Sequence, residues 1–158
     1  MSQRVDERFP TLSKLKVYDK CLKLTDHTLN VCKIKDNGNN TKKHLVKRQS
    51  KIGQYLIEIV IQVGADILEA NNKYVEKNLN KDDQIRNYKK RLELEEHAKS
   101  LTYRMEHIIR VLHFNRPFDE STIGYWIELL METRELLIKW KESDYSSLKE
   151  LMNNKGIC

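Results

Sequence analysis

The stretch YLIEIVIQVGADIL, residues 55–68, determines the expected fold class. Its three polar residues, Glu58, Gln62 and Asp66, are four apart and form one narrow stripe on an otherwise apolar helix. Those residues also make the stretch too polar to cross a bilayer. A helix on the edge of a small bundle would need a narrower apolar face. We therefore expect this helix to be buried on two sides, one of them against another copy of the chain. The residues expected at that interface are Tyr55, Ile57, Ile61 and Leu68.

Segments on either side of this stretch share its helical periodicity. Helices are predicted at residues 12–35, 41–77, 82–114 and 119–142, with residues 80–83 and Asp119 supplying caps. Short connections make sequential helices antiparallel, which predicts an all-α, up-down-up-down four-helix bundle. Residues 1–10 are expected to be a flexible N-terminus, 11–142 the bundle domain, and 143–158 a C-terminal tail with one turn at 147–152. The expected core positions on the first, third and fourth helices are Leu15, Tyr18, Leu22, Thr25, Leu29, Cys32, Leu94, Ala98, Leu101, Met105, Ile108, Leu112, Ile123, Trp126, Leu130, Leu137 and Trp140.

The positive charge is concentrated near the N-terminus. The chain has 158 residues and a net charge of +6, but residues 1–60 carry 13 Lys and Arg against 6 Asp and Glu. Such a region indicates a nucleic acid or another anionic partner. Its densest part, opposed only by Asp36, comprises Lys33, Lys35, Lys42, Lys43, Lys47, Arg48 and Lys51. A second cluster at the start of the third helix contains Arg86, Lys89, Lys90 and Arg91. Both clusters are suited to phosphate contacts that do not read sequence.

Motifs for catalysis and metal binding are missing from the sequence. It has no Gly-rich phosphate loop, no GxSxG, no HExxH and no Glu-x-x-His pair. Cys21, Cys32 and Cys158 form no CxxC pair and are odd in number, which favours buried thiols in a reducing compartment. The N-terminus has no signal-peptide core. We expect a soluble, cytoplasmic protein without metal or cofactor.

One spacing suggests an enzyme. Arg91-x5-His97 resembles the motif of the HEPN ribonucleases, in which Arg and His residues from two subunits cut RNA. The residues after Arg91 depart from that motif because they lack its usual polar residue.

Three segments together resemble a known family. They are Tyr18-Asp19-Lys20-Cys21-Leu22, the basic KKHLVKRQSKIGQ at 42–54, and YRMEHIIRVLHFNRPFDESTIGYWIELLMETRELLIKW at 103–140. The sequence resembles the four-helix proteins encoded in intervening sequences of large ribosomal RNA. It resembles equally their relatives, the accessory variability determinants of diversity-generating retroelements. The resemblance spans roughly residues 15–141.

That resemblance implies a five-fold barrel with a basic surface and no catalytic residues. It implies binding to a partner reverse transcriptase and to nucleic acid during error-prone copying of a template RNA into cDNA. Arg110, Glu132 and Trp140 match family positions. Two departures concern the partner interface: the Gly before the closing Trp is absent, and Glu106 stands where a second arginine is usual, for which Arg104 can substitute.

The expected function is therefore a non-enzymatic retroelement accessory protein. The residues expected to contact nucleic acid are Lys33, Lys35, Lys42, Lys43, Lys47, Arg48, Lys51, Lys89, Lys90, Arg91, Arg104 and Arg110. Three alternatives stay open: a ribosomal intervening-sequence protein, a HEPN-type ribonuclease and a purely structural helical adaptor.

Overall fold

The structure, a computed structural model, describes residues 12–32, 40–73, 75, 79–115 and 117–154, with side chains from residue 16 in the first helix and residue 51 in the second. This part of the chain is all-α and contains four helices: α1 (Leu12–Cys32), α2 (Asn40–Asn71), α3 (Lys81–Asn115) and α4 (Glu120–Asn154). None of these described helices is long and apolar enough to span a membrane. The expected flexible segment 1–10 lies outside the described residues.

The starts of α3 and α4 are set by side-chain caps. The Asn80 Oδ1 atom accepts a hydrogen bond from the backbone N–H of Asp83 at 2.8 Å. The Asp119 Oδ1 atom accepts from the Thr122 backbone N–H at 2.7 Å and from the Ser121 hydroxyl at 2.9 Å. The hydrogen bonds from Thr122, and then that from Ser121, hold the pKa of Asp119 below its usual range. These caps occupy the predicted positions, because capping depends on residues within one turn.

The four helices surround one core. Contacts join α1 to α2, α2 to α3, α3 to α4, and α4 to α1, an arrangement typical of a four-helix bundle. Trp126 is fully buried, and its indole N–H donates to the Thr28 hydroxyl at 2.9 Å. Trp140 is also buried, as the sequence predicts for both tryptophans.

The buried face of α1 differs from the expected one. Leu22 was expected in the core, but it is 49% exposed. The buried residues are instead Val17, Cys21, Leu24 and Thr28. The other residues expected in the core lie on the side of α1 that faces α2. They are only half-buried: Tyr18, Thr25, Leu29 and Cys32. An α1 that contacts both α2 and α4 must centre its buried face between them.

The boundaries of α2 and α4 also differ from prediction. α2 ends at Asn71 instead of residue 77. Asn71 and Asn72 follow one another at this end, and asparagine has a low helix propensity. α4 continues to Asn154, well past the predicted end at residue 142. Asp144 and Leu148 are buried along this extension. Residues 143–154 therefore belong to the helical domain rather than to a tail.

Candidate nucleic-acid interface

The first basic cluster lies at the start of α2. Residues 40–57 contain five Lys and Arg and no Asp or Glu. Lys42, Lys43, Lys47 and Arg48 have helical backbone, although their side chains lie outside the described part. Lys51, the last of the cluster, is exposed. Lys33 and Lys35 lie outside the described residues.

The second cluster does not stay together. Lys89 and Lys90 are exposed on α3, and Arg86 is exposed and paired with Asp83. Arg91 is only 2% exposed. The prediction that Arg91 contacts nucleic acid does not fit this position, because its guanidinium faces the core.

Arg91 is held by several acceptors. Its Nε and Nη2 atoms donate to the two carboxylate oxygens of Asp144 at 2.9 and 2.8 Å. Its Nη1 atom donates to the Lys73 backbone carbonyl at 3.4 Å. The rings of Tyr88 and Trp140 lie 5.5 Å from the guanidinium carbon. Paired and hydrogen-bonded in this way, the buried Arg91 of α3 is joined to α4 and to the segment that follows α2.

A further buried arginine, Arg134, was not predicted. It donates to the Thr102 hydroxyl and carbonyl at 3.0 and 3.1 Å and to the Glu106 carboxylate at 3.0 Å. The Tyr103 ring covers its guanidinium at 3.9 Å. Its position in the apolar stripe between Leu130 and Leu137 is the sequence signal that could have revealed this burial.

Glu106 receives bonds from two arginines. Burial, the largest single influence, raises its pKa, but the hydrogen bonds and charges of Arg134 and then Arg110 outweigh it, so the pKa lies below its usual range. Arg110 donates from Nε to Glu106 at 3.4 Å while most of its side chain is exposed. Arg104 is also exposed. Arg104 and Arg110 therefore remain available to an anionic ligand.

His97 faces a different helix from Arg91. The His97 ring contacts Asp66 of α2, with 2.6 Å between Nδ1 and Oδ2, whereas Arg91 points towards Asp144 of α4. The two residues of the HEPN-like spacing therefore lie on different faces of α3, and each is already paired with an aspartate. Both side chains therefore have a partner within the bundle, so neither is a surface side chain surrounded only by water.

The residues predicted to face another subunit are mostly exposed. Tyr55, Ile61 and Leu68 are exposed, and Ile57 is half-buried. Ile57, Ile61 and Leu68 lie on the side of α2 that faces α1, next to Gly64, where an added Cβ would meet Cys21 Sγ at 3.6 Å. Leu22 of α1 is also exposed, but it lines the groove that contains Tyr125 of α4.

The two described cysteines, Cys21 and Cys32, do not belong to a cluster of metal-ligating side chains. Burial raises the pKa of Cys21 to about 12 and that of Cys32 to about 11. Cys158 lies outside the described residues. Within the described ranges, no group of three or more His, Cys, Asp and Glu residues could hold a metal ion.

The α1–α4 side of the molecule is less suited to phosphates. An open groove there is lined partly by Asp19, Asp26 and Tyr125. His27, in the same groove, lies 3.2 Å from the Thr122 carbonyl and packs edge-on against Tyr125. α4 itself carries 7 Asp and Glu against 4 Lys and Arg. An anionic ligand would therefore favour α2 and α3 over this side.

No family model, no curated protein and no solved structure matches the chain.

Proposed function

We propose that the protein is a non-enzymatic accessory protein that binds RNA or DNA through phosphate contacts. The supporting observation is the start of α2, where five cations occur with no acidic residue over residues 40–57. Exposed Lys89, Lys90, Arg104 and Arg110 on α3 extend the set of available cations. Neutralised phosphates release counterions, which makes such binding strong at low salt and independent of sequence.

The proposed context is a diversity-generating retroelement. There the protein would bind the reverse transcriptase and support mutagenic copying of template RNA, as the sequence resemblance implies. The ribosomal intervening-sequence role keeps the same chemistry. An adjacent reverse-transcriptase gene with a template and variable repeat would favour the retroelement, and a gene within ribosomal RNA would favour the alternative.

The proposed assembly is an antiparallel four-helix bundle that forms a homo-oligomer, with five subunits as the family resemblance implies. Two pairs support the antiparallel arrangement: Cys21 lies beside Gly64, while Cys32, later in α1, lies beside Gly53, earlier in α2. The exposed Ile61 and Leu68 of α2 support self-association, because a second copy would remove this apolar surface from water.

The test is a pair of charge-reversal variants compared by fluorescence anisotropy with a labelled single-stranded RNA. The first variant changes the α2 cluster to Glu at Lys42, Lys43, Lys47 and Arg48. The control makes the same net charge change at four exposed lysines on α1 and α4: Lys16, Lys23, Lys139 and Lys149. We expect the first variant to lose affinity on the order of 100-fold and the control to lose far less.

Equal losses of RNA affinity in the two variants would show that binding depends on the net charge of the protein and not on the α2 cluster. Unchanged binding by the α2 variant would instead favour a structural adaptor that uses apolar faces. Cleavage of the RNA by the purified protein would contradict the non-enzymatic role. A His97→Ala variant that abolished this cleavage would then assign it to the HEPN-type alternative.

A further inference from the structure

A histidine oriented by a buried carboxylate lies where α2 meets α3. The His97 side chain is 57% exposed, whereas that of Asp66 is 4% exposed. The Asp66 Oδ2 atom lies 2.6 Å from His97 Nδ1, and its Oδ1 atom accepts from the Gln62 amide at 2.9 Å. Each carboxylate oxygen thus has a partner, and the imidazole is fixed on an otherwise open surface.

This contact determines which ring nitrogen faces outward. An ionised carboxylate can only accept hydrogen bonds, so His97 Nδ1 must donate to Asp66. In the neutral imidazole the other nitrogen, Nε2, is then an acceptor. In that neutral form, a fixed acceptor on an exposed ring suits a ligand that brings a hydroxyl donor.

Cations flank His97 along α3. Lys90 precedes it by seven residues and Arg104 follows it by seven, so all three share one face at intervals of about 10 Å. Lys90 and Arg104 are both exposed. Glu93 on α3 is the nearest exposed acid in sequence, and Glu58 and Glu69 lie on the α2 side. Because both exposed cations, Lys90 and Arg104, lie on α3, a phosphate chain would follow the α3 side of this surface, past Glu93.

We propose that this face binds single-stranded RNA in preference to DNA, with His97 Nε2 accepting a hydrogen bond from a ribose 2′-hydroxyl. Lys90 and Arg104 contact phosphates farther along the strand, one in each direction. The 2′-hydroxyl is the group that distinguishes RNA from DNA at a given site. This proposal rests on the nucleic-acid binding proposed above and specifies which nucleic acid is bound.

The test compares an RNA and a DNA oligonucleotide of identical sequence by anisotropy. The wild-type chain is expected to bind the RNA about two- to tenfold more tightly, the effect of one hydrogen bond between uncharged groups. His97→Phe keeps an aromatic ring but removes the acceptor, so it should weaken RNA binding to the DNA level and leave DNA binding unchanged. His97→Ala should act in the same way, and circular dichroism checks that both variants are helical.

Two neighbouring substitutions serve as matched controls. Arg104→Gln should weaken RNA and DNA binding equally, because it removes a phosphate contact. Glu93→Gln should strengthen both equally. If the wild-type chain binds RNA and DNA alike, or if His97→Phe keeps the RNA preference, the proposal is wrong while the nucleic-acid function stands. Failure to bind either oligonucleotide would reject both.

Discussion

Two buried arginines, Arg91 and Arg134, lie among the apolar side chains of the core, and their guanidiniums bind polar groups and pack against aromatic rings. Arg91 has a two-point bond to Asp144, and Arg134 bonds to Thr102 and Glu106. A buried ion pair adds little net stability compared with apolar residues, but removing one partner leaves a buried charge without compensation. Each pair therefore makes the chain intolerant of single changes.

Changing Arg91 to Met tests this argument. The variant leaves the Asp144 carboxylate buried without its cation, and we expect it to lower the free energy of unfolding by about 3–5 kcal/mol in urea titrations. The control, Arg86→Met, breaks an exposed pair with Asp83 and should change stability by about 1 kcal/mol or less. The double variant Arg91→Met/Asp144→Leu should recover much of the loss. Equal effects of the two single variants would show that the Arg91 pair is not buried in solution.

The helices show what the sequence alone could reveal. The starts of α3 and α4 were predictable because Asn80 and Asp119 act on backbone groups within one turn. The end of α4 was not, because the burial of Asp144 in this segment depends on Arg91, 53 residues away. The buried face of α1 was misplaced because apolar residues occur on both sides of it, and only the positions of α2 and α4 select its centre.

A proline in the last part of α4 tests whether residues 143–154 form an integral helix. Ser146 is exposed, so Ser146→Pro should act only through the backbone, by removing one hydrogen bond and clashing with the preceding turn. We expect a loss of about 3 kcal/mol in the free energy of unfolding, and a change of about 0.5 kcal/mol or less for the control Ser146→Ala. If residues 143–154 were instead a frayed tail, the two variants would have the same free energy of unfolding.

At the scale of the whole molecule, charge and apolar surface are unevenly distributed. The chain carries +6 overall, yet α4 has three more acidic than basic residues, so the excess lies elsewhere. The first basic cluster was predictable because its residues are contiguous in sequence. The sequence could not show that Arg91 is buried while Lys89 and Lys90 are exposed, because its partner Asp144 is distant in sequence. In the same way, the sequence of α3 and α4 mixes polar and apolar residues, so it does not show which apolar side chains stay exposed.

Self-association should depend on the exposed apolar residues of α2, Ile61 and Leu68. Ile61 is 54% exposed, and Ile61→Lys should reduce the molar mass measured by multi-angle light scattering from that of an oligomer to that of a monomer. The control is Met131→Lys, also at 54% exposure but on α4, which should leave the mass unchanged. A monomeric wild-type chain would contradict the proposed assembly.

The salt dependence of RNA binding tests the proposed function most directly. Because the proposed contacts are Lys and Arg side chains on phosphates, a plot of the logarithm of the binding constant against the logarithm of salt concentration should fall steeply. The expected slope is about −0.7 for each phosphate neutralised on a single strand. Glu substitutions at Lys42, Lys43, Lys47 and Arg48 should make that slope shallower by about 3. RNA binding that does not change with salt, or no RNA binding at low salt, would contradict the account.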